Sequence, residues 1–194
     1  MSIRRACKLI AGAAIVLTVG IGGASQALAE PLTAEDSRKL KIGLEAVEKG
    51  NIRKARATTK ALKSPLARKI LIWERLRQPD PNASFAEIAD FMAANPDWPD
   101  QNKLQRRAEE AITDKTPSVA VLTWFKERRP LSGDGKARFG EALLASDLTQ
   151  EGQAAIRDAW INGNFTKNRE RAFYKRHRRM LSGADHRRRL DRLQ

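Results

Sequence analysis

The densest chemistry in the sequence is cationic and lies near its end. Residues 161–194 hold 11 Lys/Arg against 3 Asp/Glu. Arginine suits carboxylate and phosphate ligands because its planar guanidinium donates through two parallel N–H groups. Lys175, Arg176, Arg178, Arg179, Arg187, Arg188 and Arg189 therefore form a candidate patch for an anionic ligand. The alternative is one solvated basic face per helix. Aromatic faces suit sugar rings, and four tryptophans are spread along the chain. Trp73, Trp124 and Trp160 read as core fillers between successive helices. Trp98 sits in the turn Asn95-Pro96-Asp97-Trp98-Pro99, and is either a wedge in that turn or a sugar-stacking candidate.

Catalytic arrangements are missing from the sequence. It has no G-x-S-x-G, no P-loop, no H-E-x-x-H and no G-x-G-x-x-G. Gly133-x-Gly135-Lys136 is too short to cradle a phosphate, follows no strand, and reads as the start of a helix. His177 and His186 lie inside arginine runs and are expected to be solvated. Glu87, Asp90, Glu109, Glu110 and Asp158 sit at helical spacing from basic residues or near helix starts, so they read as surface partners rather than as a general acid in a cleft. No catalytic, cofactor-binding or metal-ligating residue is assigned, and no cofactor is expected.

Compartment decides how the charge is read. Arg4, Arg5 and Lys8 precede an unbroken apolar and small stretch, Leu9 to Ala24, which leads to Ala27-Leu28-Ala29. A basic head, a short apolar body and an A-x-A exit make a secretory signal peptide, with cleavage expected after Ala29. A retained membrane anchor is the alternative. The only cysteine, Cys7, precedes the apolar body, so the expected mature chain has no disulfide. The full chain carries 37 Lys/Arg and 23 Asp/Glu, a formal +14. Removing the three basic residues of 1–29 leaves 34 against 23, or +11. Outside the cytoplasm, a basic surface is expected to meet peptidoglycan stem-peptide carboxylates, envelope phosphates or acidic proteins rather than nucleic acid. Contact with a membrane surface through 165–194 is a further expectation.

The elements that would carry these residues are helices. Apolar residues recur at three and four spacing, with Ala, Leu, Glu, Lys, Arg and Gln between them. Short Gly, Pro or polar clusters separate the segments. Thr33-x-x-Asp36 resembles a capping box, Gly50-Asn51 a C-terminal stop, and Ser64-Pro65 an N-cap with a first-turn proline. Ser84 or Asn82 caps a fourth helix, and a fifth runs from about Asp100 to Ile112. Thr149 caps a helix that carries Trp160, and Phe165 with Phe173 belongs to the next. The sequence thus predicts an all-α domain over 30–194. Roughly ten short helices form antiparallel hairpins stacked in an irregular tetratricopeptide-like superhelix.

Asn95-Pro-Asp-Trp-Pro-Asp100 with Leu104, Arg107-Ala108-Glu109 and Ile112 resembles a signature in the N-terminal superhelix of soluble lytic murein transglycosylases. Trp124-Phe125, Gly140-Glu-Ala-Leu-Leu144, Ile156-Arg157-x-Ala159-Trp160 and Ser182-Gly-Ala-Asp-His186 are similar to the stretches that follow. The resemblance covers essentially all of 30–194. It implies a periplasmic helical domain that works on peptidoglycan. The family's cleavage of the bond between N-acetylmuramic acid and N-acetylglucosamine, giving a 1,6-anhydro product, belongs to a later lysozyme-like domain whose catalytic Glu lies in a Glu-Ser motif. This sequence has no Glu-Ser pair. The expectation is a portion truncated before the catalytic domain, inactive alone and at most a murein-binding module. The alternative is a periplasmic protein-interaction scaffold.

Overall fold

The computed structural model describes residues 32–80 and 82–194. The expected signal peptide and its cleavage point lie outside the described residues. Among these residues there are ten α-helices and no strand: α1 (Ala34–Glu48), α2 (Ile52–Ala61), α3 (Pro65–Leu76), α4 (Phe85–Ala94), α5 (Gln101–Ala111), α6 (Ser118–Phe125), α7 (Gly133–Leu144), α8 (Thr149–Asn162), α9 (Lys167–His177) and α10 (Gly183–Leu193), with a 3₁₀ turn at Arg178–Met180. The chain is all-α, as its periodicity predicts.

Most helices pack on the next or the next but one: α1 on α2 and α3, α2 on α3, α4 on α5, α5 on α7, α6 on α7, α7 on α8, and α8 on α10. That order of contacts is the pattern of stacked hairpins. Three apolar clusters follow one another along it. Leu40, Val47, Ala55, Leu62 and Leu71 form the first. Leu76, Ile88, Met92, Leu104, Ile112, Val121, Trp124 and Phe125 form the second. Ile156, Ala159, Trp160 and Phe173 form the third. Burying each large side chain contributes about 1.5–3 kcal/mol. The α7–α8 pair crosses closely, since a Cβ on Gly152 would lie 2.7 Å from Leu144 and one on Gly140 would lie 3.0 Å from Ile156.

Local sequence sets most helix ends. Ser64, Ser84 and Ser132 accept the amides of Ala67, Glu87 and Gly135 at the starts of α3, α4 and α7. Gly50 has φ +68°, and the Asn51 amide returns to the Ala46 carbonyl to close α1. Thr149 is the first helical residue of α8 rather than its cap, because Asp147 turns at φ +62° and leaves Leu148 as N-cap. Phe165 lies before α9, against Phe173, rather than within the helix.

One half of the expected capping box at Thr33 is absent. Thr33 Oγ1 accepts the Asp36 amide, but the buried Asp36 carboxylate takes the Lys63 and Ser64 amides at 3.1 and 2.7 Å, at the start of α3. The same device recurs at Glu109, expected on the surface but 0% exposed. From α5 its carboxylate accepts the amides of Leu131 and Ser132 (2.9 and 2.7 Å), the Ser132 hydroxyl (2.6 Å) and the Gln105 side-chain amide (2.8 Å). Apart from Gln105, which lies on α5 itself, these groups sit at the start of α7, where amides lack intrahelical acceptors and negative charge is favoured. Gly133 and Gly135 therefore belong to α7 itself. A Cβ on Gly135 would lie 2.4 Å from Glu109 Oε2. Between these two ties, the Trp73 indole donates to Pro99 O at 3.0 Å and Arg77 pairs with Asp100 at 2.7 Å, linking α3 to the start of α5.

Glu109→Ala leaves two amides and a hydroxyl without an acceptor. It is expected to cost about 3 kcal/mol, a fall in Tm of roughly 6–12 °C by thermal unfolding. Gly135→Ala is expected to lower Tm through the same contact, whereas Gly183→Ala, where a Cβ meets nothing closer than 3.8 Å, should not.

Candidate functional site

One face of α5 organises the accessible clefts. Lys103, Arg106, Arg107 and Glu110, with Thr113 beyond the helix, follow one another at helical spacing opposite Leu104, Ala108 and Glu109, which are buried. At its start, Trp98 borders a depression of about 670 Å³ with Asp100, Gln101, Asn102, Lys103 and Arg106. Arg106 also lines the next cleft, of about 360 Å³, with Arg107, Glu110, Ser132, Asp134 and Arg169. Arg107, Glu110 and Arg169 in turn border a cleft of about 850 Å³, whose apolar wall includes Ala83, Phe85, Pro117 and Ala120. Glu110 and Arg169 continue into a fourth, of about 270 Å³, that ends on Glu141, Phe173 and His177. Shared lining residues make these a single groove running along α5 from Trp98 to His177.

Charges in the groove are largely paired. Arg107 meets Glu110 at 2.6 Å, Arg169 meets Asp134 at 2.7 Å, and Lys136 meets Asp158 at 2.7 Å. Lys103 forms no ion pair among the described residues. Trp98 is half-buried. Its ring meets Trp73 and Phe91 edge to face at 5.8 and 5.9 Å, and the Lys69 ammonium stands 5.5 Å from its centroid. It thus wedges the turn and also opens onto solvent beside Gln101, Asn102 and Lys103. Trp124 and Trp160 are buried, as their spacing suggests, and Trp73 is half-buried.

At the far end a charge network closes the groove. Asp114 accepts Arg138 and, at 3.0 Å, Arg176, while Glu141 accepts Arg138 (2.7 Å), Arg176 (2.9 Å) and His177 (2.9 Å). The Arg176 guanidinium, with Arg138, holds the Asp114 carboxyl at about 2. Burial opposes ionisation of Glu141, but the His177 hydrogen bond and the two arginines hold it at about 2 as well. In return, the Asp114 and Glu141 carboxylates push Arg176 up. His177 is not solvated: it is 4% exposed and packs on Phe173. His186 is half-buried, edge-on to Trp160.

The seven expected patch residues do not act as one set. Arg189 is buried, stacks on Trp160 at 4.4 Å, and donates to the Trp160 and Gly163 carbonyls at the end of α8 and to Glu170. It serves the fold rather than a ligand. Arg176 is committed to Asp114 and Glu141. Lys175, Arg178, Arg179, Arg187 and Arg188 stay solvent-facing, with no ion pair among the described residues. The α5 groove is not among the expectations drawn from the sequence, although the charged stripe 103-106-107-110 opposite Leu104 and Ala108 was its signal.

No family model, curated protein or solved structure matches the chain.

Because Asp114 and Glu141 have folded-state values near 2, the unfolded chain takes up protons first as pH falls below about 4.5. Stability is present above that pH and lost on the way down to 2. Urea midpoints are expected to fall steeply over this range for the wild type. Glu141→Gln should be less stable at pH 7 and show a shallower decline.

Proposed function

We propose that the chain is an exported, non-catalytic superhelical module that binds peptidoglycan. The observation that carries this reading is the depression at Trp98, where a half-exposed aromatic ring borders side-chain amides and an unpaired ammonium at the mouth of a long groove. Such a combination suits a pyranose: the apolar face of the sugar packs on the ring, and its hydroxyls exchange water for the Asn102 amide and the Lys103 ammonium, while Gln101 Nε2, held by the Asn95 and Trp98 carbonyls, braces the turn. The groove beyond is lined by Arg107–Glu110 and Arg169–Asp134 pairs that a ligand carboxylate can enter as a competing acceptor, which fits glycan strands carrying acidic stem peptides. The resemblance of Asn95–Ile112 to the superhelix of soluble lytic murein transglycosylases supports the same ligand, since this segment supplies both Trp98 and α5. The family's Glu-Ser motif is not in this sequence, so binding without cleavage is the activity proposed.

Retention of the purified chain on insoluble murein tests the reading. Retention is expected and should weaken as salt rises. Lys103→Glu and Trp98→Ala should each lower affinity roughly three- to tenfold, about 0.7–1.4 kcal/mol. Lys103 is the safer probe, since Trp98 also packs against Trp73 and Phe91. No 1,6-anhydro muropeptides should be released, and their robust release would overturn the non-catalytic assignment. Failure to bind murein, together with capture of one defined protein through the α5 groove, would instead establish the scaffold reading.

Export through a cleaved leader is part of the proposal, supported by the Arg4–Ala29 pattern. N-terminal sequencing of the protein recovered from the periplasm of an expressing cell is expected to begin at Glu30. An intact Met1 in the membrane fraction would favour the retained anchor.

A further inference from the structure

The end of the helical stack carries an amphipathic surface that the groove does not explain. α10 packs on α8 through one side, where Arg189 and Arg192 donate to the carbonyls of Trp160, Ile161 and Gly163. Beside that packed side runs an apolar stripe. His186, edge-on to Trp160 of α8, leads to Leu190 and Leu193 at i+4 and i+7, and these two leucines are 59% and 57% exposed. Tyr174 of α9, also exposed, extends the stripe, with its ring 5.8 Å from His186. No described element covers this stripe.

Cations flank it. Lys175, Arg178, Arg179 and Arg187 are solvent-facing on the same two helices and the 3₁₀ turn between them, while Arg188 projects from the far side of α10. The acidic residues nearby offer little compensation: Glu170 is taken by Arg189, Asp185 by the cap of α10, and only Asp191 is free of a pairing among the described residues. A partner for this face must be anionic and accept shallow apolar side chains. None of the clefts described above includes Leu190, Leu193 or Tyr174. A lipid interface needs none: leucines and a tyrosine enter the acyl boundary while long cationic side chains reach the phosphates.

We infer that the α9–α10 face docks on an anionic phospholipid bilayer through Tyr174, Leu190 and Leu193, with Lys175, Arg178, Arg179 and Arg187 meeting the headgroup phosphates. This places the groove, on other residues, free to hold its ligand at the membrane surface.

Co-sedimentation of the full chain with vesicles tests the inference. One set is phosphatidylcholine alone, and the other carries phosphatidylglycerol at about a third of the lipid. The readout is the change in the difference between the two sets on substitution, because Leu9–Ala24 would draw the chain to both and Arg4, Arg5 and Lys8 would draw it to the anionic one. Binding should be stronger on the anionic set. The double reversal Arg178→Glu, Arg187→Glu should reduce the preference roughly tenfold or more. Leu190→Ser with Leu193→Ser should weaken binding to the anionic set about fivefold while the helical circular dichroism is kept, since both side chains are mostly in water. Equal binding to both sets, or a preference untouched by both double variants, would overturn the inference. So would displacement by inorganic phosphate beyond that of chloride at equal ionic strength, which would reduce the face to a phosphate site. Murein retention is expected to be unchanged in both variants, so failure here leaves the groove assignment standing.

Discussion

A carboxylate removed from water must be given donors, and the first amides of a helix are donors without acceptors. The stack is held in register by bringing these two needs together across helices. Asp36 of α1 takes the amides that open α3, and Glu109 of α5 takes those that open α7. Between them, Trp73 and Arg77 of α3 hold the turn that opens α5. Farther on, the logic is inverted: Arg189 and Arg192 of α10 donate to the unpaired carbonyls that end α8. Apolar packing alone would allow a helix to slide by a turn, whereas a buried charge with two to four fixed partners has one low-energy position.

That constraint also explains how the groove is made. Glu109 and Arg107 are two residues apart on α5, so one points into the stack while the other points away from it. Fixing Glu109 under the start of α7 orients Lys103, Arg106, Arg107 and Glu110 along the accessible face. The same tie draws Ser132 and Asp134 to the groove wall, where Asp134 receives Arg169 of α9. The charge pairs of the groove are therefore set by a group that no ligand can reach.

Much of the fold could be read from residue order. Ser64-Pro65, Gly50-Asn51 and the three- and four-spaced apolar residues place helices within a residue or two of where they lie. Trp124 and Trp160 fill seams as their spacing implies. Glu109 was misread because a helical wheel puts it at the margin of the apolar arc, beside Gln105, and nothing local reveals that α7 begins there. The glycines at 133 and 135 carried the other half of the signal, since a helix start has no need of two glycines unless something presses on it. Arg189 could not be told from Arg187 and Arg188 by composition, because only the position of the α8 end distinguishes them. The groove escaped notice for a similar reason: its residues come from α5, α7 and α9, and its continuity exists only once those helices are stacked.

Nearly all of these ties join parts of the chain about 20 to 30 residues apart, such as 28 from Asp36 to Ser64 and 23 from Glu109 to Ser132. Asp114 to Arg176, at 62, is the long exception. Few contacts therefore wait on the closure of a large loop, and the entropy lost in forming each is modest. Assembly can begin at any hairpin and spread by neighbours, with no single nucleus required. A chain emerging stepwise, as during passage across a membrane, can then gain order segment by segment from whichever end arrives first, with the Asp114–Arg176 pair closing last.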